Sequence, residues 1–306
     1  MRTIAIHTSK GGVGKTTLTV NLSYELAKRG HKVLVIDLDD QANSSLYLGV
    51  NKADEFERSK SIDEFERILK SFESRKEIID FLVDDTDSTD FDYRNYIKTD
   101  SPFNELIKPI SSGRIDVLPG SYRTKANDTL AQTAGGGGIK QHRLYRALHK
   151  SGIADVYDYA IIDTPPNLTM VGSNGLYACR YLIVPTQMEY FSVYGVTSLI
   201  SSIAKTVQFD TDGQRGNVLG IVPMMTEAKN RVNKFASQLL RQTLPIEIEI
   251  FPEIKRTTHF AHAAKDRLPI SAFAERKPRD AGQAAEQLLK LANRLIERIE
   301  QEETKR

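Results

Sequence analysis

Apolar residues along the chain fall into two alternating kinds of pattern. Short unbroken runs predict strands buried on both faces: Thr3-Ile4-Ala5-Ile6-His7-Thr8, Lys32-Val33-Leu34-Val35-Ile36-Asp37, Tyr159-Ala160-Ile161-Ile162-Asp163, Tyr181-Leu182-Ile183-Val184-Pro185 and Val218-Leu219-Gly220-Ile221-Val222-Pro223. Between them the spacing turns helical. From Thr16 to Arg29, Leu18, Leu22 and Leu26 share one face and Gly30 supplies a stop. Helices are also predicted near 192–208 and 230–241. A last one at about 281–302 carries Leu288, Leu289, Ala292, Leu295, Ile296 and Ile299 on an apolar face. Ile246 to Phe251 alternates apolar with acidic residues and predicts a further, more exposed strand. Strands alternating with helices predict an α/β fold: one doubly wound domain, 1–306, with a mostly parallel sheet flanked by helices.

Two stretches break the rhythm. Residues 51–100 hold 15 Asp or Glu against 9 Lys or Arg, a net charge of −6. They read as an acidic helical insertion on the sheet, with helical pieces near 62–70 and 76–83 joined by solvated linkers. Gly135 to Gly138 reads as a flexible loop before a helix at 139–150.

Composition narrows the class only slightly. A net charge of +2 over 306 residues does not mark the whole chain as a nucleic-acid binder, so a basic surface must be local. The single cysteine, Cys179, excludes an internal disulfide and, set in an apolar stretch, reads as a buried structural thiol. No apolar run is long enough to span a bilayer and no signal peptide precedes the first strand, so a cytoplasmic protein is expected.

The chemistry begins where the first strand ends. Lys10-Gly11-Gly12-Val13-Gly14-Lys15-Thr16-Thr17 lies between that strand and a helix, the setting in which backbone N–H groups converge on a phosphate at a helix N-terminus. Gly11, Gly12 and Gly14 permit the backbone, Lys15 supplies charge to the β- and γ-phosphates, and Thr16 supplies a hydroxyl to Mg²⁺. ATP and Mg²⁺ are therefore expected. The usual pattern fails at its first glycine, where Ser9 stands, and gains a second lysine, Lys10.

That departure resembles the deviant Walker A motif of the ParA/MinD superfamily. The resemblance implies that Lys10 reaches across a nucleotide-sandwich homodimer to the other subunit's phosphates, as an arginine finger does elsewhere. Asp37-Leu38-Asp39 ends the second strand with two carboxylates pointing to one side. The resemblance implies that Asp39 orients the attacking water and that Asp37 sits near the Mg²⁺ hydration shell. Asp163-Thr164-Pro165-Pro166 resembles the family's Walker B and switch region, which places Asp163 on Mg²⁺ through water. Pro185 to Ser192 resembles the family's stretch after the next strand. The likeness covers roughly 1–50 and 113–300 and leaves the acidic insertion unmatched. Asp40 stands where ParA proteins commonly have proline.

Within that superfamily, ParA proteins bind nonspecific double-stranded DNA when ATP-bound, and a ParB-like or adaptor partner stimulates their weak hydrolysis. Residues 221–280 contain 11 Lys or Arg and 7 Asp or Glu, a net of +4. Candidate DNA contacts are Lys229, Arg231, Lys234, Lys255, Arg256 and Arg267, with Arg241, Arg276, Lys277 and Arg279 beside them. Plasmid or chromosome partition on the nucleoid is the expected role. McdA-type carboxysome positioning is the alternative, and a MinD-like membrane-associated regulator the second. The last helix mixes Glu with Lys and Arg on its polar positions and has no Phe or Trp, which argues against membrane. One cysteine cannot ligate a cluster as in the nitrogenase iron protein. A biosynthetic enzyme on the same loop gains nothing from the likeness at 185–192.

Overall fold

The structure is a computed structural model that describes residues 1–50, 61–64, 66, 67, 76–84, 88, 91–123, 140–167, 169–227 and 230–305. Its centre is an eight-stranded sheet built around β1 (Arg2–Ile6), β2 (Lys32–Asp37), β3 (Arg114–Leu118), β4 (Tyr159–Asp163), β5 (Tyr181–Gln187) and β6 (Asn217–Thr226). Two short strands, β7 (Glu249–Ile250) and β8 (Ile254–Lys255), both pair with β6. The order is β3-β2-β4-β1-β5-β6-β7, and every strand pair is parallel.

The pleat sorts the unbroken apolar runs onto two faces. Ile4, Ile6, Val33, Val35 and Ile161 join one core, whereas Ala5, Leu34, Ile36, Ala160 and Ile162 join the other. The first face is covered by α1 (Lys15–Lys28) and, from the end of the chain, by α12 (Pro278–Thr304), whose Leu288, Leu291, Leu295 and Ile299 are all buried. Leu289, expected on the apolar face, is instead 42% exposed. The second face is covered in part by α5 (Arg143–Lys150) and α8 (Tyr190–Ile203).

Three short helices connect the first strands: α2 (Asn43–Tyr47), α3 (Ile78–Val83) and α4 (Phe103–Ile107). Then come α6 (Ile153–Val156), α7 (Met170–Ala178), α9 (Arg231–Thr243), α10 (His259–Lys265) and α11 (Ile270–Arg276). Within the acidic stretch, Ile78, Ile79, Phe81, Leu82, Tyr96 and Ile97 all enter the second core, so these parts pack on the sheet. Residues 62–64, 66 and 67 are helical; the remainder of the expected helix at 62–70, and Gly135 to Gly138, lie outside the described residues.

The structure departs from the sequence reading at both kinds of weak signal. Ile246 to Ile248 follow Pro245 into a turn, with Ile246 97% exposed, and only Glu249 and Ile250 reach the sheet. The helix expected at 139–150 starts at Arg143, because its buried face, Leu144, Ala147 and Leu148, begins there. The helix expected near 192–208 is present from Tyr190 onward, and it passes through a π-helical turn, Ala204–Gln208, before its last residues at 209 and 210.

Candidate nucleotide site

Register brings the charged residues together. Asp37 pairs with Asp163 across β2 and β4, and Ile6 of β1 pairs with the same Asp163, so both carboxylates sit beside the point where β1 enters the glycine loop. This is the carboxyl end of a parallel sheet, the edge where open α/β folds bind ligands.

The loop has the backbone that its glycines predict. Gly12 and Gly14 have φ of +71° and +97°. The backbone conformation is what calls for glycine at Gly14; a Cβ there would also press on the movable end of the Met224 side chain, 2.7 Å away. Gly14 is also the N-cap of α1 and offers no side-chain acceptor, which leaves the first-turn N–H groups available for an anion.

Inside this cradle Lys15 is 7% exposed and makes no salt bridge among the described residues. Burial lowers its pKa, against the pull of Asp163 and Asp39. Lys10 stands differently. Its side chain is 49% exposed at the rim, where Nζ donates to Gln187 Oε1 at 3.0 Å and to Glu189 Oε2 at 2.7 Å.

The carboxylates are held by hydroxyls on two neighbouring elements. Thr16 Oγ1 donates to Asp163 Oδ2 at 2.8 Å, and Ser44 Oγ donates to the same oxygen. Ser45 gives Asp37 Oδ2 both its backbone N–H, at 2.9 Å, and its hydroxyl, at 2.7 Å. Asp39 Oδ1 accepts from Gln41 N at 3.0 Å. Burial pushes all three carboxyls up; repulsion within the group adds to this at Asp37 and Asp163, and Asp40 adds to it at Asp39. Among the described residues no three acids converge as a ready-made metal cage, but the paired Asp37 and Asp163 at a buried strand edge, beside the Thr16 hydroxyl, favour a cation that keeps its waters. Asp163 Oδ1 is buried without a hydrogen-bond partner, an oxygen free for a hydrated Mg²⁺. The donor set, two carboxylates and the Thr16 hydroxyl, is the hard-oxygen kind that this ion takes.

Sequence reasoning missed the supports. Ser44 and Ser45 on α2 are visible only as an unremarkable Ser-Ser pair. His7 Nδ1 lies 2.8 Å from Thr164 Oγ1, which itself donates to Ile6 O, so β1 is tied directly to the turn after Asp163. Gly120 closes the floor: a Cβ there would lie 2.8 Å from Asp37 Cγ.

The basic candidates do not form one cluster. Lys234, Arg241 and Lys255 line a groove of about 790 Å³ between α9 and the chain around β7 and β8. Arg231 is exposed at the start of α9, and Arg256 is paired with Glu227 at 3.1 Å. Arg267, in a left-handed conformation with φ of +50°, is not among the groove residues, and Lys229 lies outside the described residues.

Comparison with known proteins agrees with this geometry. The model of the AAA domain family matches residues 1–213. The chain is 33% identical over 201 residues, 65% of its length, to the sporulation initiation inhibitor protein Soj of Bacillus subtilis, and the match spans 64% of that protein, just under two thirds. A ParA family protein of Chlamydia trachomatis is 27% identical over 301 residues, 97% of this chain and 98% of that one. Among solved structures, an ATP complex of a McdA variant from Cyanothece matches with a TM-score of 0.70 at 19% identity, over 98% of this chain and 96% of that one, a likeness of fold. The chain belongs to the AAA domain family and, within it, to the ParA proteins.

Proposed function

We propose that this protein is an ATP-driven dimerisation switch. It binds ATP with Mg²⁺, closes into a homodimer, holds nonspecific double-stranded DNA in that state, and positions or segregates a cargo, plasmid or chromosome, on the nucleoid. A ParB-like or adaptor partner protein stimulates a weak hydrolysis that releases it. The observation that carries this reading is the contrast between the two loop lysines: Lys15 is enclosed, whereas Lys10 is at the exposed rim and can serve a second subunit.

In this reading the N–H groups of Gly11 to Thr17 orient the phosphates, and Lys15 neutralises charge on the β- and γ-oxygens. Thr16, Asp37 and Asp163 would hold Mg²⁺, which when bound draws charge from the phosphate oxygens. Asp39 accepts a hydrogen bond from the attacking water; its raised pKa, set by burial first, makes it a better proton acceptor than a free aspartate. Lys10 leaves Gln187 and Glu189 and meets the developing charge in the partner subunit.

Asp39→Ala should keep ATP binding and dimerisation but stop turnover, read by light scattering and phosphate release. A monomeric, ATP-bound Asp39→Ala protein would overturn the sandwich. Lys15→Ala should abolish nucleotide binding. The full-length likeness to McdA supports a second reading, positioning of a protein body such as a carboxysome, with the same switch and a different cargo. The buried apolar face of α12 favours DNA over membrane, because a membrane helix must keep that face free. Cosedimentation with DNA or with anionic vesicles, each with ATP, separates these two.

A further inference from the structure

At the opposite edge of the sheet from the nucleotide site, the topology gathers a second set of cations. Strands β1, β5 and β6 are adjacent and parallel, so the residues that precede them lie side by side. Arg180 immediately precedes β5, and Arg215 precedes β6 by two residues. With Thr3, His149 and Gln214 they line a cavity of about 250 Å³, and among the described residues no acidic side chain lines it. The five residues of β1 separate it from the glycine loop by about 16 Å.

Both guanidiniums are held in place, and among the described residues neither makes an ion pair. Arg215 lies over the Tyr145 ring at 4.0 Å, and its contact with Ala178 O is long, at 3.5 Å. Arg180 lies over the Tyr181 ring at 5.3 Å, and its Nε is buried with no acceptor. Glu303, whose carboxylate feels Arg180, is already engaged by Arg2 through both oxygens. His149 is held below its ordinary pKa by burial and then by Arg215, a sign of uncompensated positive potential. Stacking leaves the N–H edges of a guanidinium free, and two such planar forks match the oxygens of a tetrahedral anion. A buried donor without a partner is costly unless a ligand supplies the acceptor.

We infer that this cavity is a phosphate-binding site, formed by Arg180 and Arg215 and separate from the nucleotide site, that takes inorganic phosphate or the phosphate of a small monoester. It is too small for a nucleotide.

The test is a calorimetric titration of inorganic phosphate, and of glycerol 3-phosphate as the monoester, into the Lys15→Ala protein, in which the glycine loop is disabled. One saturable site should remain. Adding Arg180→Gln and Arg215→Gln should weaken it about ten-fold or more. Arg215→Lys, which keeps the charge but not the fork, should weaken it less. Tighter binding of glycerol 3-phosphate than of phosphate assigns the monoester; the reverse assigns the free anion. Absence of a saturable site in the Lys15→Ala protein overturns the inference, as does binding that the arginine substitutions leave unchanged. Should the doubly substituted protein fail to fold, stoichiometry decides: two phosphates on the unsubstituted protein and one on Lys15→Ala support the site, whereas one and none overturn it.

Discussion

At the scale of single residues, the nucleotide site depends on side chains that touch no phosphate. Asp37 is fully buried, and its orientation rests on a short relay: Gly120 N donates to Ser45 Oγ, whose hydroxyl donates to Asp37 Oδ2. Ser45→Ala takes a donor from a buried carboxylate and an acceptor from a buried backbone N–H in one step. Its expected cost is about 1–3 kcal/mol of stability, measured by urea unfolding. Gly120→Ala attacks the same carboxylate by crowding, since its Cβ would also lie 3.0 Å from Ala42 Cα. A loss of about 1–3 kcal/mol is expected from overpacking. An unchanged unfolding midpoint in both variants would remove the relay from the account of how Asp37 is aimed. Asp39 shows the same dependence on neighbours: its pKa is raised first by burial, and Asp40, the residue at odds with the ParA pattern, raises it further.

At the scale of elements, legibility followed the strength of periodicity. Strands buried on both faces, such as β1, β2 and β4, announce themselves as unbroken apolar runs, and α1 and α12 as long faces. Edge strand β3 went unread because Arg114 and Asp116 interrupt its apolar residues. In the fold Asp116 is buried, and its Oδ2 accepts from both Arg114 and the Tyr157 hydroxyl, a partial compensation that only tertiary structure provides. The loop, Asp37 and Asp163 were legible because the loop follows a strand and each aspartate ends one. Ser44 and Ser45 were not, since a five-residue helix has too little periodicity to place them. The closing helix is tied to the first strand by Arg2, which bonds both oxygens of Glu303. That bond, before other effects, holds the Glu303 carboxyl below its ordinary value. As pH falls, the unfolded chain therefore takes up a proton at this position before the folded one does. The stabilisation is complete above the unfolded value of about 4.3 and is lost as pH falls through the lower folded value. The pair is about one third exposed, so Glu303→Gln should cost about 1 kcal/mol or less at pH 7. The difference from the unsubstituted protein should shrink below pH 4, measured by urea unfolding at each pH.

At the scale of the whole molecule, charge is segregated along the chain and not held in excess. A net of +2 conceals an acidic segment at 51–100 and a basic one at 221–280. The fold then sorts the basic segment further. Arg256 is paired with Glu227, whereas Lys234, Arg241 and Lys255 make no ion pair among the described residues, although Glu227, Glu249 and Glu253 line the same groove. If the proposed DNA-bound state uses that groove, each cation contributes through release of counterions. The slope of log affinity against log salt should then fall by about 0.9 for each phosphate contact removed. The triple change Lys234→Gln, Arg241→Gln, Lys255→Gln should thus reduce the slope by about 2 to 3, read by fluorescence anisotropy with ATP and duplexes of unrelated sequence. Arg256→Gln should change it less, because its charge is already countered by Glu227. Equal weakening on every duplex follows from contacts to phosphates alone. A triple variant with an unaltered slope would move the DNA surface elsewhere on the dimer, to cations outside this groove such as Arg231 or Arg267.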